Sequence, residues 1–215
     1  MHRHPLAPAC VAIVALTSLA CIAPPAGAQL RVTADITGFV GYRYGGKVEL
    51  DSVTVTLDPS VSYGFMADWT VLRSEEMTVF LEFLFSEQRT DVNEERPGEE
   101  KRKVDRMKLR YFQGASALAW DWSRLRGYLV LSIGLTRYLA EERGDKNGFT
   151  VGMGLGLKYP TRSRFGVRID SRWYGTKTDV KGTTWICPDV GDCLNVNETI
   201  WLWQGDLVGG LFFAF

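Results

Sequence analysis

The stretch 198–215 constrains the fold of this chain more than any other. It reads E-T-I-W-L-W-Q-G-D-L-V-G-G-L-F-F-A-F. Counted back by twos from Phe215, the residues are Phe213, Leu211, Gly209, Leu207, Gly205, Trp203 and Trp201, all apolar, aromatic or glycine. The interleaved set, Ala214, Phe212, Gly210, Val208, Asp206, Gln204, Leu202 and Ile200, carries the charge and the amide. Successive strand residues point to opposite faces, so this spacing predicts a strand with one wholly apolar face. A soluble chain usually ends in something frayed and polar. A final aromatic at the edge of an apolar face instead fits a bilayer-crossing strand that meets an interface belt.

The front of the chain reads as an export signal. His2, Arg3 and His4 precede an apolar run over 10–23, and Ala26-Gly27-Ala28 is a small-residue cleavage site before Gln29. The run is shorter than the roughly 20 apolar residues a spanning helix needs. Ala20-Cys21 also reads as a lipidation site, although Ser18 stands where such a site normally has Leu. Residues 1–28 are therefore a cleaved signal peptide, and 29–215 a single domain. No second long apolar run follows, but barrels cross with strands of about 9–11 residues. The formal net charge is zero, which argues against a nucleic-acid footprint. Of the four cysteines, Cys10 and Cys21 leave with the signal. Cys187 and Cys193, an even pair in an exported chain, read as a small disulfide loop.

Alternation continues through 32–44, 53–69, 77–90, 103–114, 126–139, 149–159 and 165–176. The segment 53–69 carries Pro59 on its apolar face, which suggests a bulge or two joined pieces. With the last strand this makes eight. The connections near 71–76, 117–124 and 160–164 are shorter or tighter than most of the others, whereas those near 91–102, 141–148 and 179–197 are long and polar. Short turns at one end and long loops at the other predict an all-β, eight-stranded antiparallel transmembrane up-and-down barrel. Both termini would lie in the periplasm, with the cysteine loop outside.

Period two alone does not say which face looks inward. A lipocalin-like barrel would hold its apolar face inside, around a ligand. The charges decide. The polar faces collect Asp35, Glu82, Arg106, Lys108, Arg110, Lys158, Arg168, Asp170, Arg172 and Asp206, with Gly152, Gly154 and Gly156 in a row on one strand. An eight-stranded barrel is only wide enough for side chains to fill it, and a crowded lumen suits that row of glycines. Acids and bases of both signs can pair there, as buried charges must. A lipid-facing Arg or Lys at mid-bilayer would cost roughly 2–4 kcal/mol. A salt-bridged plug is the expected use of this interior, with a narrow ion path as the rival.

Catalysis finds no footing. The only histidines are His2 and His4, both lost with the signal, so Ser-His and Asp-His mechanisms are excluded. No catalytic residue, metal site or cofactor is expected. The Cys187/Cys193 spacing lacks the partners of a zinc site, and no helix follows the Gly152–Gly156 stripe to make a dinucleotide fingerprint.

With the signal, the eight alternating strands, G-L-T-R-Y at 134–138, G-L-K-Y-P at 156–160 and the terminal Phe215, the chain resembles the small outer-membrane β-barrel proteins of the OmpA-like superfamily. That resemblance implies a porin-like fold in the Gram-negative outer membrane, with Leu211, Phe213 and Phe215 as the C-terminal assembly signal. It implies a monomer in contact with outer-membrane lipid and lipopolysaccharide, handled during biogenesis by periplasmic chaperones and the barrel-assembly machinery. A structural or surface-interaction role follows. The alternative is a narrow pore or transporter, or a lipocalin-like carrier of a small apolar ligand. No peptidoglycan-binding domain follows the barrel.

Overall fold

A computed structural model describes residues 33–50, 53–95, 100–140, 144–161, 164–180 and 198–215. The expected signal peptide and the Cys187/Cys193 loop lie outside them. The described strands are β1 (Ala34–Gly45), β2 (Lys47–Leu50), β3 (Val53–Leu57), β4 (Ser60–Arg73) and β5 (Thr78–Glu95). They continue with β6 (Arg102–Trp122), β7 (Leu125–Ala140), β8 (Gly144–Pro160), β9 (Phe165–Val180) and β10 (Glu198–Ala214).

Eight of these strands close a ring. β1 pairs β4, each strand from β4 to β10 pairs the next, and β10 returns to β1, all antiparallel. Closure leaves the eight-stranded ring no free edge, which is what allows a sheet to live in hydrocarbon. The strand expected over 53–69 is indeed two pieces, broken at Asp58-Pro59. β1 breaks opposite, at Gly45 and Gly46, both with positive φ. The register survives the break: Arg43 faces Ser60 before it and Lys47 faces Thr56 after it. β2 and β3 thus prolong the β1–β4 hairpin beyond the ring and add to the far end of β5.

Two segments expected to be loops are largely strand. In 91–103, Asp91 pairs Arg106, Asn93 pairs Lys103 and Glu94 pairs Arg102. In 141–148, β8 begins at Gly144, with Lys146 opposite Tyr138. Charge-rich composition predicts solvation. In the β5–β6 hairpin the register instead sets Asp91 across from Arg106 and Glu94 across from Arg102, and such pairs support a ladder in water. β5 and β6 therefore run past any bilayer. The connection expected near 117–124 is likewise only a tight turn at Ser123-Arg124, where Ser123 has φ 57°.

At that turn Arg126 Nε donates to Asp121 Oδ1 at 2.7 Å and Nη2 to Oδ2 at 3.2 Å. The bond from Arg126 holds the Asp121 carboxyl below the usual carboxylate range. Its contribution is therefore present above about pH 4, the unfolded value, and fades as pH falls through the lower folded value. Both side chains are partly exposed, so Asp121→Asn should cost less than about 1 kcal/mol. A urea titration at pH 7 and pH 3 checks this, and a larger loss at pH 3 than at pH 7 would contradict it.

Candidate functional site

The polar faces converge on the lumen and stack in layers. Nearest the two ends of the described chain, around Ala34 and Phe215, Lys158 Nζ donates to both Asp35 oxygens at 2.9 and 2.8 Å and to Asp68 Oδ2 at 2.5 Å. Arg168 is the hub of this first layer. Its Nη1 meets Asp68 at 2.8 Å, its Nη2 meets Glu82 at 2.5 Å, and its Nε meets Asp170 at 2.8 Å. Arg172 grips Glu82 with two nitrogens at 2.6 and 2.8 Å and reaches Asp170 at 3.0 Å. The Tyr128 hydroxyl donates to Asp170 at 2.5 Å, and its ring lies 5.0 Å under the Arg168 guanidinium.

A second ionic layer sits further along. Arg43 Nε donates to Asp206 at 3.0 Å, and Ser62 donates to the other carboxylate oxygen at 2.8 Å. The Arg43 guanidinium lies over the Tyr111 ring at 4.2 Å and near the Tyr174 ring at 5.3 Å. Tyr111 donates onward to Gln204. Beyond it Thr136, Thr150 and Thr176 hydrogen-bond in a triangle. The end away from the termini is filled by buried Leu57, Val92, Met107, Leu109 and Leu202, backed by Val48, Val55 and Val104.

The glycine stripe on β8 explains how so much fits. A Cβ on Gly156 would lie 2.1 Å from the Tyr128 ring; on Gly154, 2.9 Å from the Arg172 stem; and on Gly152, 2.9 Å from the Tyr174 ring. Three large lumen side chains occupy the space that β8 leaves empty.

The outer face is the reverse. Leu131 is 57 % exposed, Leu155 54 % and Leu211 69 %, in rows that run round the ring. A lipocalin-like carrier would need this polarity inverted. At the loop end Trp201 and Trp203 stack on each other and Tyr44 and Tyr42 are exposed, while Trp120, Trp122, Tyr159 and Phe215 lie toward the other.

Of the expected interior charges, Glu82, Arg168, Asp170, Arg172 and Asp206 are buried in the lumen, and Asp35 is half-buried at its mouth. Arg43 and Asp68, on the polar faces of β1 and β4, complete the layers. Arg106, Lys108 and Arg110 are placed differently: they point outward, and Met107, Leu109 and Tyr111 point in. Beyond the hydrocarbon the medium outside is polar, so β6 reverses its polarity there while keeping its register. Phe112, the next outward residue below Arg110, is apolar and exposed. The clue in the sequence is the position of these residues next to the charge-rich 91–103 stretch.

A closed ring of eight antiparallel strands, with an apolar outer wall and an ion-paired lumen, defines the transmembrane outer-membrane type of barrel. No protein-family model and no curated protein matches the sequence. Among solved structures the chain is similar to Neisserial surface protein A (NspA), at 13 % identity over 87 % of this chain and 98 % of that one, TM-score 0.53. It is also similar to the outer membrane protein OprG from Pseudomonas aeruginosa, at 14 % identity over 86 % and 95 %, TM-score 0.56. The fold is that of the small outer-membrane barrels.

Proposed function

We propose that this protein is an integral barrel of the bacterial outer membrane with a closed interior, acting as a structural or surface-interaction protein. The observation that carries the reading is the pairing of an apolar wall with a lumen filled by two ionic layers and an apolar end. In this reading residues 1–28 are removed on export and both termini lie in the periplasm. The Cys187/Cys193 loop joins the strand extensions outside. Leu211, Phe213 and Phe215, outward or at the rim on the closing strand, serve as the assembly signal read by the insertion machinery. Lipid and lipopolysaccharide surround a monomer.

A non-catalytic role is part of the proposal. Every lumen carboxylate named above is held by a cation, which suits a static network rather than acid–base work. Among the described residues, no group of three or more His, Cys, Asp or Glu is placed to hold a metal.

Outer-membrane fractionation with gel migration tests the placement. The folded protein is expected in the outer-membrane fraction, with a band that shifts only after boiling. Recovery from the soluble periplasm would sink the reading.

A further inference from the structure

The outer wall of the β5–β6 hairpin carries charges that a sealed lumen does not use. On outward positions just beyond the apolar row of Phe85 and Phe112 stand Glu87, Arg89, Asp91, Arg106, Lys108 and Arg110. Glu87 is the anchor. It accepts Arg110 Nε at 2.8 Å, the Tyr63 hydroxyl at 2.8 Å and Arg89 Nε at 3.4 Å, with Lys108 Nζ 3.9 Å away. Asp91 takes Lys103 at 2.6 Å and Arg106 at 3.4 Å.

Five cations thus share two carboxylates, and counting neighbouring Asp105, which accepts the Arg106 backbone N–H at 2.7 Å, still leaves an excess of two. The chain as a whole is neutral, so this excess is local. Arg89, Arg106 and Lys108, with Met107, Leu139 and Ala140, line a groove of about 280 Å³ in this wall. The Arg89 and Arg106 side chains remain 64 % and 59 % exposed despite their ion pairs. Around the same end of the barrel, β10 and β1 present Trp201, Trp203, Tyr42 and Tyr44 instead.

Adjacent outward positions on a strand are about 7 Å apart. The cations therefore start one such step above the last apolar row, at headgroup depth. Phosphates of lipids in that leaflet would lie beside them, and guanidinium groups bind phosphate through charge-assisted, often bidentate bonds. We propose that this groove is a docking site for the phosphorylated sugar headgroup of an outer-leaflet glycolipid, with its acyl chains against Phe85 and Phe112. The inference rests on the proposed outer-membrane placement with the loop end outward.

The test uses the full-length protein in zwitterionic micelles, titrated with bisphosphorylated lipid A, dephosphorylated lipid A, phosphatidylglycerol and inorganic phosphate, and read by native mass spectrometry. Bisphosphorylated lipid A is expected to bind about tenfold or more tighter than its dephosphorylated form. Arg89→Gln with Lys108→Gln should erase about tenfold of that preference, while boiling-dependent migration shows that the variant is folded. Arg89→Lys with Lys108→Arg keeps both charges and should retain most of the binding.

Unchanged binding in the charge-removal variant overturns the site. Full competition by millimolar inorganic phosphate, or equal binding of phosphatidylglycerol, overturns the glycolipid assignment. The outer-membrane reading fails separately, by fractionation: loss of lipid A preference in a protein still found in the outer membrane defeats this inference alone.

Discussion

Replacing Arg168 with methionine is expected to lower the stability of the barrel by about 3–5 kcal/mol, the range for leaving buried charge uncompensated. The termini-side cluster holds four carboxylates, Asp35, Asp68, Glu82 and Asp170, against Lys158, Arg168 and Arg172. Arg168 alone touches three of the four. Without it two cations face four carboxylates. Glu82 and Asp170 both fall to Arg172, and Asp68 keeps only Lys158. Methionine fills similar volume, so the loss reports charge rather than a cavity. In urea unfolding from lipid vesicles the midpoint should fall by roughly 1–3 M.

Two companion variants locate the cause. Arg168→Lys retains one charge but not the three-way fork, and should recover only part of the loss. Asp68→Asn added to Arg168→Met removes one stranded carboxylate and should recover about 1–3 kcal/mol of coupling. An Arg168→Met barrel within about 1 kcal/mol of the native one would show that the lumen charges are hydrated and independent. The plug would then be no plug.

The sequence carried the barrel because alternation is dictated by the medium on each side. Wherever hydrocarbon lies outside and packed charge inside, as in 149–159 or 198–215, the pattern is unambiguous. Strand count and the break at Pro59 were readable on the same grounds, but the lengths of the connections were not, since β5 and β6 run into 91–103 and β8 begins at Gly144. What could not be read was where the outside medium changes. In 106–111 the alternation of Arg106, Lys108 and Arg110 with Met107, Leu109 and Tyr111 is identical in form whether the outside is lipid or water. Only the register with Gln88 and Thr90, both buried in the lumen, fixes the answer. The partnering of lumen charges was hidden for a related reason. Arg43 and Asp206 are separated by 163 positions, and no local pattern announces that ring closure brings them together.

Gly134→Ala and Gly64→Ala should be the most damaging small substitutions on the strands. An added Cβ at Gly134 would lie 1.9 Å from the backbone oxygen of Phe112, and at Gly64 2.0 Å from that of Phe85. Phe85 and Phe112 are cross-strand partners, so the two glycines flank one rung of the β5–β6 hairpin from either side. An approach that close is what a sharp bend of the sheet requires, and barrels use glycine kinks to make one. A carbonyl in a ladder cannot swing aside as a side-chain tip can, so the strands must separate. A cost of about 3 kcal/mol is expected for each alanine. Together the two should abolish the boiling-dependent band by preventing closure. Gly38 and Gly209 supply the contrast, since a Cβ at either meets nothing within 4 Å. Alanine there should change stability by no more than about 0.5 kcal/mol. Equal effects at the two kinds of site, measured by refolding yield and urea midpoint, would mean that the bend at the Phe85–Phe112 rung does not set the shape of the barrel. The same rung marks where the outer wall passes from apolar to cationic. A barrel that refolds without the bend should therefore also present Arg89 and Arg110 at a different height against the bilayer.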